Sequence, residues 1–269
     1  MKTAFITGAS SGIGKATALL FVGKGWRVAA AVRDPASVAD LAALEGVKVY
    51  RLDVTDRDSI AAAVAKAIED FGGIEVLVNN AGYASIGPFE ASSEAQVRKQ
   101  FETYVFGLMN VTRALLPHFR ARRSGTIVNL SSVGGRLTFP LYSLYHATKW
   151  AVEGFTESLQ FELRPFGVKL RLIEPGVIKT DFYTRSMDVA RKDGLDAYDA
   201  WAEPVMAAMN KSVPLSPGPE LVARRIWRAA TSRGRKLRYL VGRESAYVVL
   251  RRWMPDAWFL GMVRRVLGA

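Results

Sequence analysis

The apolar run Ala4-Phe5-Ile6 is followed at once by Thr7-Gly8-Ala9-Ser10-Ser11-Gly12-Ile13-Gly14, and then by the amphipathic stretch Lys15 to Val22. Strand, glycine-rich turn and helix start, in that order, commit the chain to a β–α unit whose turn can hold a pyrophosphate. Gly8 permits the sharp turn, Gly12 lets backbone approach the anion, and Gly14 allows close packing of helix on strand. The helix N-terminus supplies free N–H donors. Ser10, Ser11 and Ile13 complete this candidate phosphate loop. A plain glycine turn is the bland alternative, and the flanking strand and helix weigh against it.

The rhythm continues along the chain. Runs rich in β-branched residues recur at 2–7, 27–32, 47–52, 74–79, 125–131, 168–173 and 237–241. Helical periodicity fills the intervals, as at Asp58 to Phe71 and Val152 to Leu163. Such alternation gives an α/β fold, a doubly wound parallel sheet of the Rossmann type. At 269 residues, 49% of them hydrophobic and 23% charged, the chain suits one domain over 1–269. Residues 182–219 break the rhythm with Pro204, Pro214, Pro217 and Pro219 and the aromatic anchors Phe182, Tyr183 and Trp201. Ligands of open α/β sheets bind beyond the carboxyl ends of the strands, so this insertion is expected to act as a substrate lid. Residues 243–269 read as a helical tail, which Pro255 divides into two short helices. With no cysteine and only His118 and His146, disulfides and thiolate chemistry are excluded and no metal is expected. The first strand begins within three residues, which leaves no room for a signal peptide. No apolar run approaches the roughly 18 residues of a membrane span. The expectation is a cytoplasmic enzyme.

Chemistry enters with Tyr145 and Lys149, four residues apart, and with Ser132, thirteen residues upstream of Tyr145. On a helix such a pair shares one face. A phenol of pKa about 10 is a poor base near neutral pH, and a fixed cation beside it favours the phenolate. Alone, the pair is a weak signal, and an ordinary helix face explains it as well. Two further segments add weight: Asn79-Asn80-Ala81-Gly82 after Val76-Leu77-Val78, and Pro175-Gly176 with Thr180 after Leu170 to Ile173. Together these residues resemble the classical short-chain dehydrogenase/reductase family, whose motifs stand here in the family's order across residues 3 to 181. The stretch from Leu237-Arg238-Tyr239 to Arg252-Trp253-Met254-Pro255-Asp256 is similar, more loosely, to its 17β-hydroxysteroid dehydrogenase-like branch.

The resemblance implies that Tyr145 exchanges a proton with the substrate oxygen. It implies that Lys149 lowers the phenol's pKa and holds the nicotinamide ribose, and that Ser132 stabilises charge on the carbonyl oxygen. It further implies that Asp53 and Val54 flank the adenine, that Asn79 lines the adenosine ribose, and that Thr180 and the Ile178 backbone fix the carboxamide. It implies that Ala81, Gly82, Pro175 and Gly176 are the remaining cofactor contacts. Asn129 and Ser131 read as structural. The family's asparagine in an Asn-x-x-Gly arrangement is replaced by Tyr104, three residues before Gly107, which leaves the water that it holds for the lysine in question.

Cofactor choice rests on the second strand. Val32 stands at its tip, where an NAD-binding chain has an acid, and Arg33 follows. A guanidinium fork suits a phosphate. Asp34 precedes Pro35 and reads as a helix N-cap, so NADP (NADPH) is the expected cofactor. The net charge is +12, and many basic residues lie late: Arg224, Arg225, Arg228, Arg233, Arg235, Lys236, Arg238, Arg243, Arg251, Arg252, Arg264 and Arg265. Trp227, Tyr239, Trp253, Trp258 and Phe259 interleave with them, which favours a basic amphipathic face, solvated or lying on anionic lipid or a partner, over nucleic-acid binding. The leading reading is an NADP-dependent oxidoreductase acting on the carbonyl or secondary alcohol of a small but bulky apolar substrate, steroid-, retinoid- or ketone-like, and assembled as a homodimer or homotetramer. A cofactor-binding scaffold of low activity is one alternative, and a membrane-surface or nucleic-acid binder using the basic tail is the other. Tyr83 and Phe139 suit an apolar pocket and suit a core equally well.

Overall fold

A computed structural model of the chain describes residues 1–183, 187–211 and 213–268, with the Tyr183 side chain outside the described set. The first half runs β1 (Thr3–Thr7), α1 (Gly12–Gly23), β2 (Arg27–Val32), a single-turn α2 (Ala39–Ala42), β3 (Val47–Arg51), α3 (Arg57–Phe71) and β4 (Val76–Asn79). Then come β5 (Ala84–Ile86), α4 (Glu94–Phe101), α5 (Leu108–Arg122), β6 (Gly125–Leu130), α6 (Ser143–Leu163) and β7 (Val168–Pro175). The chain ends with β8 (Met187–Val189), α7 (Asp199–Asn210), α8 (Pro219–Thr231), β9 (Arg238–Val241), α9 (Ser245–Arg251) and α10 (Asp256–Leu267).

Seven strands pair in the order β3-β2-β1-β4-β6-β7-β9, every pair parallel. All seven strand runs expected from the sequence lie in this sheet. The strand order reverses between β1 and β4, so the glycine turn after β1 opens at the topological switch point. Buried residues of α1 and α8 such as Phe21, Val222 and Ile226 cover one face, and Ile60, Val64, Leu115, Phe119 and Leu159 from α3, α5 and α6 cover the other. Local chemistry sets the ends of these helices. At α3, Asp56 accepts from the amides of Asp58 and Ser59, and Gly72 closes the helix at φ 71°, a conformation that glycine adopts freely.

Three features depart from the expectations. A second, two-stranded parallel sheet joins β5 to β8, although neither strand shows a β-rich run long enough to read. Between α4 and α5 the backbone makes a π turn at Glu102–Gly107, where the sequence suggests a plain helix. Trp227, read as part of an exposed basic face, packs against Phe21 with ring centroids 4.9 Å apart, and Tyr239 and Phe259 are buried as well.

Candidate active site

The glycine turn is built as its residue types require. Gly8 and Gly12 sit at φ 65° and 52°, and a Cβ on Gly14 would lie 2.1 Å from the Gly8 carbonyl oxygen. Such a cradle accepts an anion's close approach only because side chains are missing from it. Ser11 caps α1 without a side-chain hydrogen bond, and the first turn carries no acid. Ile13 turns its side chain to the core. The loop is fastened from below by Asn80, which sequence reasoning had placed in a motif and not in the site. Its Nδ2 donates to the carbonyls of Thr7 and Gly8 at 3.0 and 3.1 Å. Thr7 Oγ1 in turn accepts from the amides of Asn80 and Ala81.

The other cofactor candidates divide into two groups. Arg33 is exposed at the end of β2, and the Asp34 carboxylate accepts from the Ala36 amide at 3.0 Å, so it serves as the cap that the sequence implies. Asp53 stands at the end of β3, its Oδ1 accepting from Thr55 N and Oγ1. Thr180 closes over the glycine turn: a Cβ on Gly12 would lie 3.5 Å from its side chain. By contrast, Val54 and Ile178 bury their side chains in the two main cores. Asn79 is also turned inward, its Nδ2 donating to Thr112 Oγ1 and Asn129 Oδ1 at 3.0 and 2.9 Å. That amide braces β4 against β6. Pro175–Gly176 is locked by Glu244 from the start of the tail, whose Oε2 accepts from Val177 N, and a Cβ on Gly176 would collide with it at 1.9 Å. No sequence signal marks Glu244, because the contact spans 67 residues.

Ser132, Tyr145 and Lys149 come together at the carboxyl ends of β6 and β7. Ser132 Oγ accepts from Gly134 N at 3.0 Å and donates to the Pro175 carbonyl at 3.2 Å. Ser132 is also the side chain that pulls against burial at the Tyr145 hydroxyl. Lys149 lies one turn along α6, 3% exposed, and its Nζ donates to Leu130 O at 2.7 Å. Buried Gln100, another residue missed by the sequence, ties this helix to β5: its Oε1 accepts from Ser85 N and its Nε2 donates to Thr148 Oγ1.

Burial dominates the electrostatics of the Tyr145 and Lys149 pair. Burial pushes the Tyr145 phenol up to about 12, against the opposing pull of Ser132. Burial likewise brings the Lys149 ammonium down to about 7, with the Glu153 charge acting in the other direction. The ammonium stands 4.1 Å from the Tyr104 ring centroid and 5.6 Å from that of Tyr145. Tyr104 is therefore the closer aromatic partner of the cation. Its ring rests on Gly82, where a Cβ would lie 2.3 Å from Cε1, stacks on Tyr83 at 6.4 Å and meets Tyr145 edge-on at 5.8 Å. A side chain of this size fits only because Gly82 has none.

Above the triad, Val205 of α7 joins Ala84, Ile86, Leu141 and Tyr142 in an apolar cluster, with Tyr145, Phe182 and Met206 packed on it. Phe182 and α7 thus pack on the Tyr145 side of the site. Trp201, expected as an anchor, is 40% exposed. Phe139 belongs to a separate cluster with Val133, Leu137, Val248 and Phe259, which seats the tail on the segment just after Ser132.

Residues 2–189 match the short chain dehydrogenase family. The chain belongs to that family. An uncharacterised oxidoreductase of Schizosaccharomyces pombe is 40% identical over 241 residues, covering 88% of this chain and all of that protein. An NADPH-dependent 3-dehydrocapnine reductase of Ornithobacterium rhinotracheale is 33% identical, covering 90% of this chain and 88% of its own. A short-chain dehydrogenase of Streptomyces avermitilis superposes with a TM-score of 0.84 at 35% identity, covering 94% of this chain and 93% of that one. This short-chain dehydrogenase is accordingly a nicotinamide-dependent oxidoreductase.

Proposed function

We propose that the enzyme is an NADPH-dependent reductase of a ketone on a bulky apolar substrate, with Tyr145 as the proton donor. The gathering of Ser132 and Tyr145 at the carboxyl ends of β6 and β7, with Lys149 buried one turn away and its Nζ on Leu130 O, carries this reading. A phenol held near 12 stays protonated at neutral pH, which is the form that gives a proton to a carbonyl oxygen. Ser132 supplies a second hydroxyl to the same oxygen and stabilises its developing charge. Lys149, brought down to about 7, can return a proton to the phenol near neutrality. The glycine cradle, the uncapped α1 N-terminus and Thr180 would hold a nicotinamide dinucleotide, which when bound supplies the hydride.

NADP over NAD is supported by exposed Arg33 beside Val32 and by an Asp34 carboxylate already engaged as a cap. The NADPH-dependent relative points the same way. The apolar cluster of Leu141, Tyr142, Phe182 and Val205 suits a steroid-, retinoid- or long-chain ketone, in keeping with the 17β-hydroxysteroid dehydrogenase-like look of the tail, and gives the 182–219 insertion its role as a lid. Homodimer or homotetramer assembly is supported by Trp150 and Phe161 on α6, 53% and 69% exposed, and light scattering measures it. The test of function is a screen of ketones, aldehydes and secondary alcohols that follows absorbance of the reduced cofactor. NADPH-dependent turnover of apolar ketones, lost in Tyr145→Phe, is the expected result. Wild-type rates in Tyr145→Phe on the same substrate would overturn the assignment, and no turnover with tight NADPH binding would favour the scaffold reading.

A further inference from the structure

The tail has two faces. Its inner face is spent on the enzyme: Val248 and Phe259 are buried, and Met254, Met262 and Val263 pack with them against Val133, Leu137 and Phe139. Its outer face holds Trp253 and Trp258, 80% and 72% exposed, and Leu260, 48% exposed. Arg252, Arg264 and Arg265 stand exposed among them, with the Arg252 guanidinium 5.9 Å from the Trp253 ring centroid. The two carboxylates of this region are occupied, Glu244 with the Val177 amide and Asp256 with Arg251. The outer face therefore presents tryptophan, leucine and uncompensated positive charge.

Three occupants would cover such a face, and charge separates them. A second copy packed isologously sets the same patch against itself, which would oppose arginine to arginine. Nucleic acid would satisfy the arginines and leave protruding Leu260 without use. An anionic lipid surface takes both: indoles prefer the headgroup boundary, leucine inserts below it, and guanidinium groups meet the phosphates and carboxylates. Among the described residues no helix is long and apolar enough to cross a membrane, so the contact lies in the interface plane. At 1.5 Å per residue α10 offers a rod of about 18 Å for it. We propose that α10 and the turn leading into it dock this enzyme on anionic membranes through Trp253, Trp258, Leu260, Arg252, Arg264 and Arg265. The inner face meanwhile keeps the catalytic segment after Ser132 covered.

The test sediments the full chain with vesicles of phosphatidylcholine alone and with vesicles of phosphatidylcholine mixed with phosphatidylserine. Binding should favour the anionic vesicles and weaken as salt rises. Each lost arginine should reduce vesicle affinity about five-fold, and the charge reversal Arg264→Glu with Arg265→Glu about 25-fold or more. Trp253→Ser with Trp258→Ser should weaken binding at least ten-fold. Both double variants should keep the melting temperature, the oligomeric state and the turnover of a water-soluble carbonyl. Absence of binding to anionic vesicles would overturn the proposal, as would binding that neither pair of substitutions changes. A tryptophan-dependent shift in oligomeric state would assign the face to a second copy, and tighter binding to a DNA duplex than to vesicles would assign it to nucleic acid. Either result also overturns the membrane assignment.

Discussion

Tyr104 holds the position at which this active site differs from its family, and its ring face lies 4.1 Å from the Lys149 ammonium. A desolvated cation–π contact is worth about 2 kcal/mol, or on the order of one pKa unit in favour of the charged lysine. Tyr104→Phe keeps the face and should leave the pH–rate profile nearly unchanged. Tyr104→Leu removes it without admitting a polar group, so the pH at which Lys149 loses its proton should fall further, and the high-pH limb of the rate profile should move to lower pH. A Leu variant with the wild-type profile would show that the ring only fills space. Arg33 gives the second residue-scale prediction. Arg33→Ala should weaken NADP binding by about ten-fold or more, since a charge-assisted contact is worth about 1.5–3 kcal/mol, while NAD binding is unaltered. Fluorescence titration with both cofactors measures this, and equal loss for the two would remove Arg33 from the phosphate site.

Between elements, the least ordinary contact is the carboxyl group of Glu174 on β7, fully buried against Glu153 of α6. Arg238 Nε from β9 lies 3.3 Å from its Oε1, and Arg136 Nη1 approaches at 3.7 Å. Burial, and then the Glu153 charge, push Glu174 up from 4.5 to about 7. The folded chain therefore binds one more proton than the unfolded chain between those values, and stability falls as pH rises through that window. Glu174→Gln keeps the shape and cannot ionise. Relative to wild type it should gain on the order of 2 kcal/mol at pH 8 and little at pH 4, as read by denaturant melts at both. The loop before α6 carries a second tension. Leu141 sits at φ 67°, which costs about 1–2 kcal/mol for a residue with a Cβ, yet its side chain is buried in the cluster over Tyr145, which returns about 1.5–3 kcal/mol. Burial outweighs strain, and Leu141→Gly should lower the melting temperature despite relaxing the backbone.

At the scale of the whole molecule, the tail completes the site. Glu244 clamps Gly176 and Val177, and Phe259 seals the segment after Ser132. Removal of residues 243–269 should raise KM or cause aggregation, because an apolar cluster is uncovered and a turn at the site loses its partner. A soluble truncated chain with unchanged kinetics would show that the tail has no part in the site. The positive charge of +12 is unevenly used: Arg171 and Arg238 are taken inside by carbonyls and carboxylates, whereas the tail's outer arginines remain at the surface.

The seven-stranded sheet, the glycine cradle, the Asp34 cap and the Ser132, Tyr145 and Lys149 set were legible because each rests on periodicity or on residues near in sequence. Helical spacing alone places Lys149 one turn from Tyr145, and proline after Asp34 alone signals the cap. What sequence could not decide depended on partners distant along the chain. Asn79 turns inward because Thr112 and Asn129 offer it buried hydrogen bonds. Lys149 lies over Tyr104 because a π turn and a bare Gly82 admit that ring. The short strands β5 and β8 exist only by pairing with each other across some hundred residues. Trp227 and Trp258 read alike in sequence, and the first packs on the core while the second is surface because α8 packs on α1 and the outer side of α10 meets solvent. Local pattern determined the elements and the shared placement of Ser132, Tyr145 and Lys149, and desolvation and long-range packing determined which other side chains surround them.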